Sequence, residues 1–470
     1  MLNPPSLLLL CGLRRFRPLY VSLGLLLGGC ALQPSQPDWQ QQARELPSQI
    51  TAWEQLEGTA DLHLNQLIQD DALDALLREA YDHNPGLQNT LLTLQIRQQE
   101  VTQTAAQRRP DVDLGFSGSR EQGPDRQAGD SQYSGSLTVS WELDLWNRIG
   151  DSTAAARLDV EQQQALYQSA RDTLAAEVMK AWLQLTAAQR AVGIQQQRLQ
   201  TLEQNERFIL MRYRNGLGSA EDLDSARTTI SSARATLAAN EEALAQAQRS
   251  LRALVGRTDS KPFAFPAEYP DTSLPWADLP EQTLQRRPDL KAAFLALAAA
   301  DHRTSAAYKD LLPSINLQAA LTDAASQPRA ALLTDPLWSV LGQLTQPLYR
   351  GGELRASAEI AALTSAQAYQ SYRDTLLTAV TEVENALGQE RSLARQQQHL
   401  EAALTSARNN LAQYRNSYRT GLVSILDLLL VQDNTYDLET QLDTVIAQRL
   451  SNRIDLGLAL GLGIEEASPL

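Results

Sequence analysis

The chain has 470 residues, 6% of them aromatic, and a formal net charge of −14 at pH 7; that charge argues against a nucleic-acid partner, whose phosphates are held by clustered Lys and Arg. A mean hydropathy of −0.32, with no apolar run of about 18 residues after Cys30, excludes a polytopic helical membrane protein. Length alone suggests about three domains, yet six Phe among long stretches of Ala, Gln and Leu do not furnish three ordinary cores, and two Cys with four His offer little for a disulfide framework or a structural metal site.

The N-terminus reads as an address. Arg14, Arg15 and Arg17 form a basic cluster, an apolar stretch runs from Leu19 to Leu27, and Leu27-Gly28-Gly29-Cys30 closes it, which is the order of a secretory signal. A cysteine directly after two glycines resembles a bacterial lipoprotein signal. That resemblance implies removal of residues 1–29, lipid attachment at Cys30, and, with Ala31 rather than Asp after the cysteine, an outer-membrane destination. Cys11 falls in the discarded leader, so no disulfide is expected, and two or more acyl chains suffice for stable anchoring. Gln33 to Pro47 is a polar, Pro/Gln-rich tether within a lipidated N-terminal segment, 30–66.

The remainder is a duplicated unit with an offset of about 203–205 residues. Asn84-Pro85-Gly86-Leu87 matches Arg287-Pro288-Asp289-Leu290, Arg109-Pro110 matches Leu312-Pro313, Leu145-Trp146 matches Leu348-Tyr349, and Arg171-Asp172-Thr173-Leu174 recurs as Arg373-Asp374-Thr375-Leu376. Tyr213-Arg214-Asn215-Gly216-Leu217 recurs as Tyr418-Arg419-Thr420-Gly421-Leu422. The repeats are expected over 67–256 and 286–461, with a Pro-rich linker at 257–285 and a tail at 462–470.

Each repeat reads helix, strand, strand, long helix, turn, helix. The first helix is expected over 67–108, ending before Pro110; Val112, Leu114 and Phe116, then Leu137, Val139, Trp141 and Leu143, alternate with polar neighbours, so the period changes from 3.6 to 2. This places strands at about 111–120 and 132–145, and at about 313–323 and 336–348 in the second repeat, each long enough to cross a bilayer at a tilt. Helices without internal Pro follow, at about 150–214 and 352–418, each spanning roughly 95–100 Å. The stripe Leu174, Val178, Ala181, Leu185, Ala188, Val192 steps by 4 and 3, a heptad seam. Four strands cannot close a barrel, and open sheet edges are not tolerated in lipid. Several chains must therefore pool strands; three would give twelve.

On these residues the chain resembles the bacterial outer-membrane efflux proteins, the TolC-like outer-membrane factors, in their NodT-like lipoprotein branch. The carriers are Asn84-Pro85 with Arg109-Pro110, Trp141-Glu142-Leu143-Asp144-Leu145-Trp146, Arg287-Pro288-Asp289-Leu290 with Leu312-Pro313-Ser314-Ile315, and the two Tyr-x-x-Gly-Leu turns. The resemblance implies a mainly α fold: a homotrimer with an α-helical barrel, a shared twelve-stranded β-barrel and a mixed equatorial region made by 40–66, the 257–285 linker and the C-terminal tail. It implies an outer-membrane exit duct that passes small molecules from an inner-membrane RND or ABC transporter through a periplasmic adaptor (membrane fusion) protein, with outer-membrane lipid around it, no cofactor and no enzymatic step. A channel for type I protein secretion and a pore-less, lipid-anchored periplasmic coiled-coil scaffold remain alternatives.

The turns at 215–219 and 420–424 carry the functional expectations. Gly216 and Gly421 suit the left-handed conformation that ends a helix, and Ser219 and Ser424 suit N-caps. The resemblance makes Gly216, Leu217, Ser219, Gly421, Leu422 and Ser424 the adaptor-contacting tips, and Asp222, Leu426, Asp427 and Leu430 a periplasmic gate. Leu430 departs from the family, which often has Asp there; acidic rings at such a mouth would favour cations. Other signals fail: His63, His83, His302 and His399 are isolated, Gly457, Gly461 and Gly463 follow no strand, and three Met suggest no metal relay.

Overall fold

The computed structural model describes residues 37–50, 63–121, 130–275 and 280–464. Residues 1–36, 51–62, 122–129, 276–279 and 465–470 lie outside them, and with them the expected leader and Cys30. The described chain falls into two compact units. One comprises the described part of the first 42 residues with Arg97–Val160 and Leu295–Gln370; the other comprises Ala43–Ile96, Glu161–Phe294 and the chain from Ser371 on. In order the elements are α1 (Trp39–Glu45), α2 (Asp71–His83), α3 (Pro85–Ala106), β1 (Asp111–Glu121), β2 (Asp130–Leu143), α4 (Arg148–Arg214), α5 (Ala220–Val255), α6 (Pro280–Arg286), α7 (Pro288–Lys309), β3 (Ser314–Ala325), β4 (Leu337–Thr345), α8 (Glu353–Arg419) and α9 (Ile425–Ala459). The long helices α4 and α8 are 67 residues each and run through both units. No helix among the described residues is long and apolar enough to cross a membrane.

The first unit holds a four-stranded antiparallel sheet in the order β1-β2-β3-β4. Its register aligns the alternation of every strand. Val112 pairs with Val139, Leu114 with Leu137, Leu137 with Leu321, Trp141 with Leu317, and Leu321 with Trp338. Directly paired residues share a face, so one face carries Val112, Leu114, Phe116, Leu137, Val139, Trp141, Leu317, Leu321, Trp338, Val340 and Leu344. The other carries Asp113, Ser117, Ser136, Thr138, Ser140, Asn316, Gln318, Thr322 and Gln343, with Leu337 and Leu341 as the large apolar exceptions. Strands β1 and β4 are open edges, and large residues on the apolar face, from Val112 and Leu114 to Trp338 and Val340, stand exposed.

Where the second strand was expected to reach 145, the ladder stops at Leu143, because the Asp144 carboxylate turns to the start of α4 and accepts from the N–H groups of Ile149 (3.1 Å) and Gly150 (2.9 Å). The fourth strand stops at Thr345 rather than 348, ahead of Pro347, which has no N–H for a ladder. Trp141 and Trp146 donate their indole N–H groups to the carbonyls of Arg108 (3.0 Å) and Pro313 (2.6 Å), tying the ends of the strands to the segments that enter them.

The second unit is built around Trp182, which is fully buried with Met179, Leu183 and Leu185 of α4, Leu73, Leu76 and Leu77 of α2, Leu251 and Val255 of α5, and Leu450 and Ile454 of α9. The expected single helix over 67–108 is two helices. Asn84 separates them, accepting from the Leu87 N–H (2.9 Å) as the cap of α3, with Pro85 at its first position. The amide of Asn84 also donates to the Leu254 carbonyl at the end of α5 (2.8 Å), and Arg287 makes the matching contact in the other repeat, donating to the Ala459 carbonyl at the end of α9 (2.9 Å). Each Asn/Arg-Pro pair therefore binds the orphan carbonyls of a helix C-terminus, which accounts for its recurrence. The 63–68 segment is held from both sides: Leu64 N–H donates to Gly463 (3.0 Å), and Ser273 N–H donates to Leu67 (3.1 Å).

An open pocket of about 730 Å³ in this unit is lined in part by Asp172, Arg287, Asp289, Glu382 and Asn452. Burial pushes the Asp172 carboxyl up to about 6, although the Ile464 N–H and Gln168 stabilise its charge. The native state thus binds this proton more tightly than the unfolded chain does, and stability from this group falls as pH rises from about 4 to 6. The Tm difference between Asp172→Asn and the unsubstituted chain is expected to be small at pH 4 and to grow in favour of the variant up to pH 7, as read by thermal melts across that range. A pH-independent difference would contradict the assignment.

Candidate functional site at the helix tips

Both long helices end the same way. Leu217 N–H donates to the Arg212 carbonyl (2.9 Å) and Gly216 N–H to Tyr213 (3.0 Å); in the second tip Leu422 donates to Ser417 (2.9 Å) and Gly421 to Tyr418 (3.1 Å). These are Schellman ends, and Gly216 and Gly421 hold the left-handed φ of 71° and 76° that they require. The next helices begin with reciprocal caps. Ser219 Oγ accepts from Asp222 N–H (3.0 Å) while Ser219 N–H donates to Asp222 Oδ2 (3.3 Å); Ser424 and Asp427 repeat this at 3.2 and 3.1 Å. The hydrogen bonds from Ser424 hold the Asp427 carboxyl below the usual carboxylate range.

Asp222 and Asp427, expected at the gate, thus have a capping task. They share a pocket with Gly421, Leu422 and Ser424, together with Ile209, Arg212 and Gly218. Leu217 (67% exposed) and Leu422 (79%) project at the turns, while Leu426 and Leu430, one helical turn apart on α9, are exposed on its surface. Beneath them Leu202 and Ile209, Leu223 and Ile230, Leu411, and Ile425, Leu428 and Leu429 pack the ends of α4, α5, α8 and α9 into one apolar cluster. Cys30 lies outside the described residues.

Sequence reasoning missed the polar contacts between the two hairpins. Arg212 donates to the Leu217 carbonyl of its own turn (3.1 Å) and to the Tyr418 hydroxyl of the other (3.4 Å). Moving along α4 and α9, Asn205 donates to Gln432 (2.8 Å), Thr201 meets the Tyr436 hydroxyl (3.0 Å), and Arg198 lies between Asp433 and Asp437 (3.0 Å each). Arg190–Asp443 and Lys180–Asp455 continue the ladder. Burial raises the Asp433 carboxyl against the pull of Arg198. Within the hairpins, Arg234–Glu203 joins α5 to α4, and Arg408–Glu439 joins α8 to α9. The ladder sets the register of α4 against α9 at the tips.

The histidines are not all isolated: His63 occupies the cap of the short 64–67 turn, and His302 stands 3.7 Å from Asp151, which also pairs with Lys309. No group of His, Cys, Asp and Glu suited to a metal occurs among the described residues.

A family model for outer membrane efflux proteins matches residues 76–257 and 279–462, both repeats. The chain is 27% identical over 458 residues to the cation efflux system protein CusC of Escherichia coli O6:H1, covering 94% of this chain and 98% of that one. It is 28% identical over 460 residues to the toluene efflux pump outer membrane protein TtgC of Pseudomonas putida, covering 93% of each. A crystal structure of a Pseudomonas aeruginosa membrane protein superposes with a TM-score of 0.79 at 27% identity, covering 88% of this chain and 99% of that one.

Proposed function

The chain belongs to the outer membrane efflux protein family, and from that premise we propose that three copies form the exit duct of a tripartite efflux system, passing small molecules from an inner-membrane RND or ABC pump and a periplasmic adaptor to the exterior. The observation that carries this reading is the register of the sheet. Four strands present one apolar face and one polar face, with two open edges; in a membrane such a sheet needs partners at both edges, and twelve strands from three chains enclose a polar lumen behind an apolar wall.

Gly216, Leu217, Ser219, Gly421, Leu422 and Ser424 are the surface offered to the adaptor, since the Schellman ends push Leu217 and Leu422 into solvent at two nearly identical turns. Leu426 and Leu430 are the apolar members of the gate, Asp222 and Asp427 its capped acidic members, and the α4–α9 ladder its latch. The duct carries out no chemistry and leaves cargo choice mainly to the pump; the relatives' names, one for cations and one for toluene, are in keeping with one duct fold serving different cargo.

Cys30 anchors the mature chain to the outer membrane through lipid. In Cys30→Ser, palmitate labelling is expected to vanish while the detergent-solubilised particle keeps the mass of three chains, because strands and helices carry the assembly. A purely monomeric Cys30→Ser particle would contradict that division of labour; labelling that persists would contradict the anchor.

A further inference from the structure

The apolar face of the sheet is covered at one place by the chain's own backbone. Residues 326–336, joining β3 to β4, fold back over β2, so that a Cβ added at Gly135 would stand 2.1 Å from the carbonyl oxygen of Ala331. Only glycine admits so close an approach. Gly135 pairs with Phe116 on one side and Asp323 on the other, and so belongs to the face of Leu114, Leu137, Leu317 and Val340. Asp323, buried there, clamps the segment: its Oδ2 accepts from the Thr334 N–H (2.9 Å) and hydroxyl (3.3 Å) and from the Asp335 N–H (3.3 Å). Leu333 is held at φ 55°, a left-handed conformation uncommon for a branched residue. A loop with nothing to do would not need a buried carboxylate, a glycine gap and a strained leucine to lie flat on a lipid-facing wall.

What the clamp presents is amphipathic. Ala331 is buried under it, Leu332 is 63% exposed, and Arg329 is exposed with no ion-pair partner among the described residues. The segment's other charged side chain, Asp335, is exposed at the far end, next to β4. Beside the segment stand Trp338, exposed near the start of β4, and Tyr133, stacked on Phe116 at 6.4 Å. Tyr, Trp and Arg around an apolar surface are the composition of a membrane–water boundary, and a guanidinium there matches a phosphate in charge and in paired donors.

We propose that residues 326–336 form an interfacial flap that seats against membrane lipid, with Leu332 at the acyl boundary and Arg329 paired to an anionic headgroup phosphate. The proposal rests on the barrel-wall reading above and adds to it a lipid site at one end of the wall. It is tested on the full chain carrying Cys11→Ser, Cys30→Ser and Leu332→Cys, spin-labelled at 332 and reconstituted in vesicles of phosphatidylcholine containing headgroup-labelled phosphatidylglycerol or phosphatidylcholine. Collisions of the label with oxygen are expected to exceed those with a water-soluble nickel chelate. Broadening by the labelled phosphatidylglycerol should exceed that by labelled phosphatidylcholine about fivefold, and Arg329→Gln should remove that preference.

A label that meets mainly the nickel chelate overturns the flap, and equal broadening by the two lipids overturns the phosphate contact. Conductance of the same vesicles separates this from the duct reading: channels with a water-exposed label defeat the flap alone, whereas no channels with a water-exposed label defeat both.

Discussion

Trp182→Ala is expected to cost about 3–5 kcal/mol, the range for emptying a fully buried aromatic site. Trp182 is 0% exposed, and its indole N–H donates to the Ala264 carbonyl (3.2 Å), so it joins α4 to the segment after α5 as well as filling the core. Truncation leaves a cavity among Met179, Leu185 and Leu251, and an orphan carbonyl at Ala264. Trp182→Phe keeps most of the volume and loses the hydrogen bond, so its cost should be about 1–2 kcal/mol. Thermal melts in detergent should rank the chains as unsubstituted, Trp182→Phe, Trp182→Ala; equal melting of the last two would mean that the hydrogen bond, not the packing, holds this core.

The second large effect is at Arg287. Its side chain is 8% exposed, yet it donates to Asp289 (2.7 Å), Glu382 (2.7 Å) and the Ala459 carbonyl. Removing a buried charge from such a set costs about 3–5 kcal/mol when its partners are buried too. Asp289 and Glu382 are one third to one half exposed, and water can take over part of the role, so Arg287→Ala should lose about 2–3 kcal/mol. Much of that loss comes from the freed end of α9. Glu382→Gln, which keeps an acceptor for Arg287, should lose less than half as much. If Glu382→Gln cost as much as Arg287→Ala, the ion pair and not the helix end would be the main role of Arg287.

These residues also show which parts of the architecture local pattern reveals. Period-2 alternation marks four strands because one face is apolar along each, and the tip turns show in Tyr-x-x-Gly-Leu because a Schellman end needs its glycine at a fixed offset. The duplication follows from ordered pairs such as Asn84-Pro85 and Arg287-Pro288. Local pattern does not reveal which groups those pairs bind: Asn84 and Leu254 are 170 residues apart, and Arg198 and Asp437 are 239 apart. A polar residue on a helix looks solvated until its partner is known, so local pattern does not show the contacts that Arg198, Arg212 and Tyr418 make between the hairpins. Asp222 and Asp427 show the reverse problem: an acid three residues after a serine reads equally as gate or cap, and only the paired hydrogen bonds of the capping box establish the second role. The break at Asn84 is hidden because apolar periodicity continues across it; Asn-Pro marks a helix start only once the Leu87 N–H is seen to cap on Asn84.

The central claim, a water-filled duct made by pooling strands, is tested most directly by planar-bilayer conductance of the purified trimer. Discrete channels with a cation preference are expected, with conductance rising when Arg198→Ala and Arg212→Ala together remove the latch between α4, α8 and α9. A well-formed trimer that gives no channels, with or without those substitutions, would contradict the duct and leave a lipid-anchored scaffold as the better account.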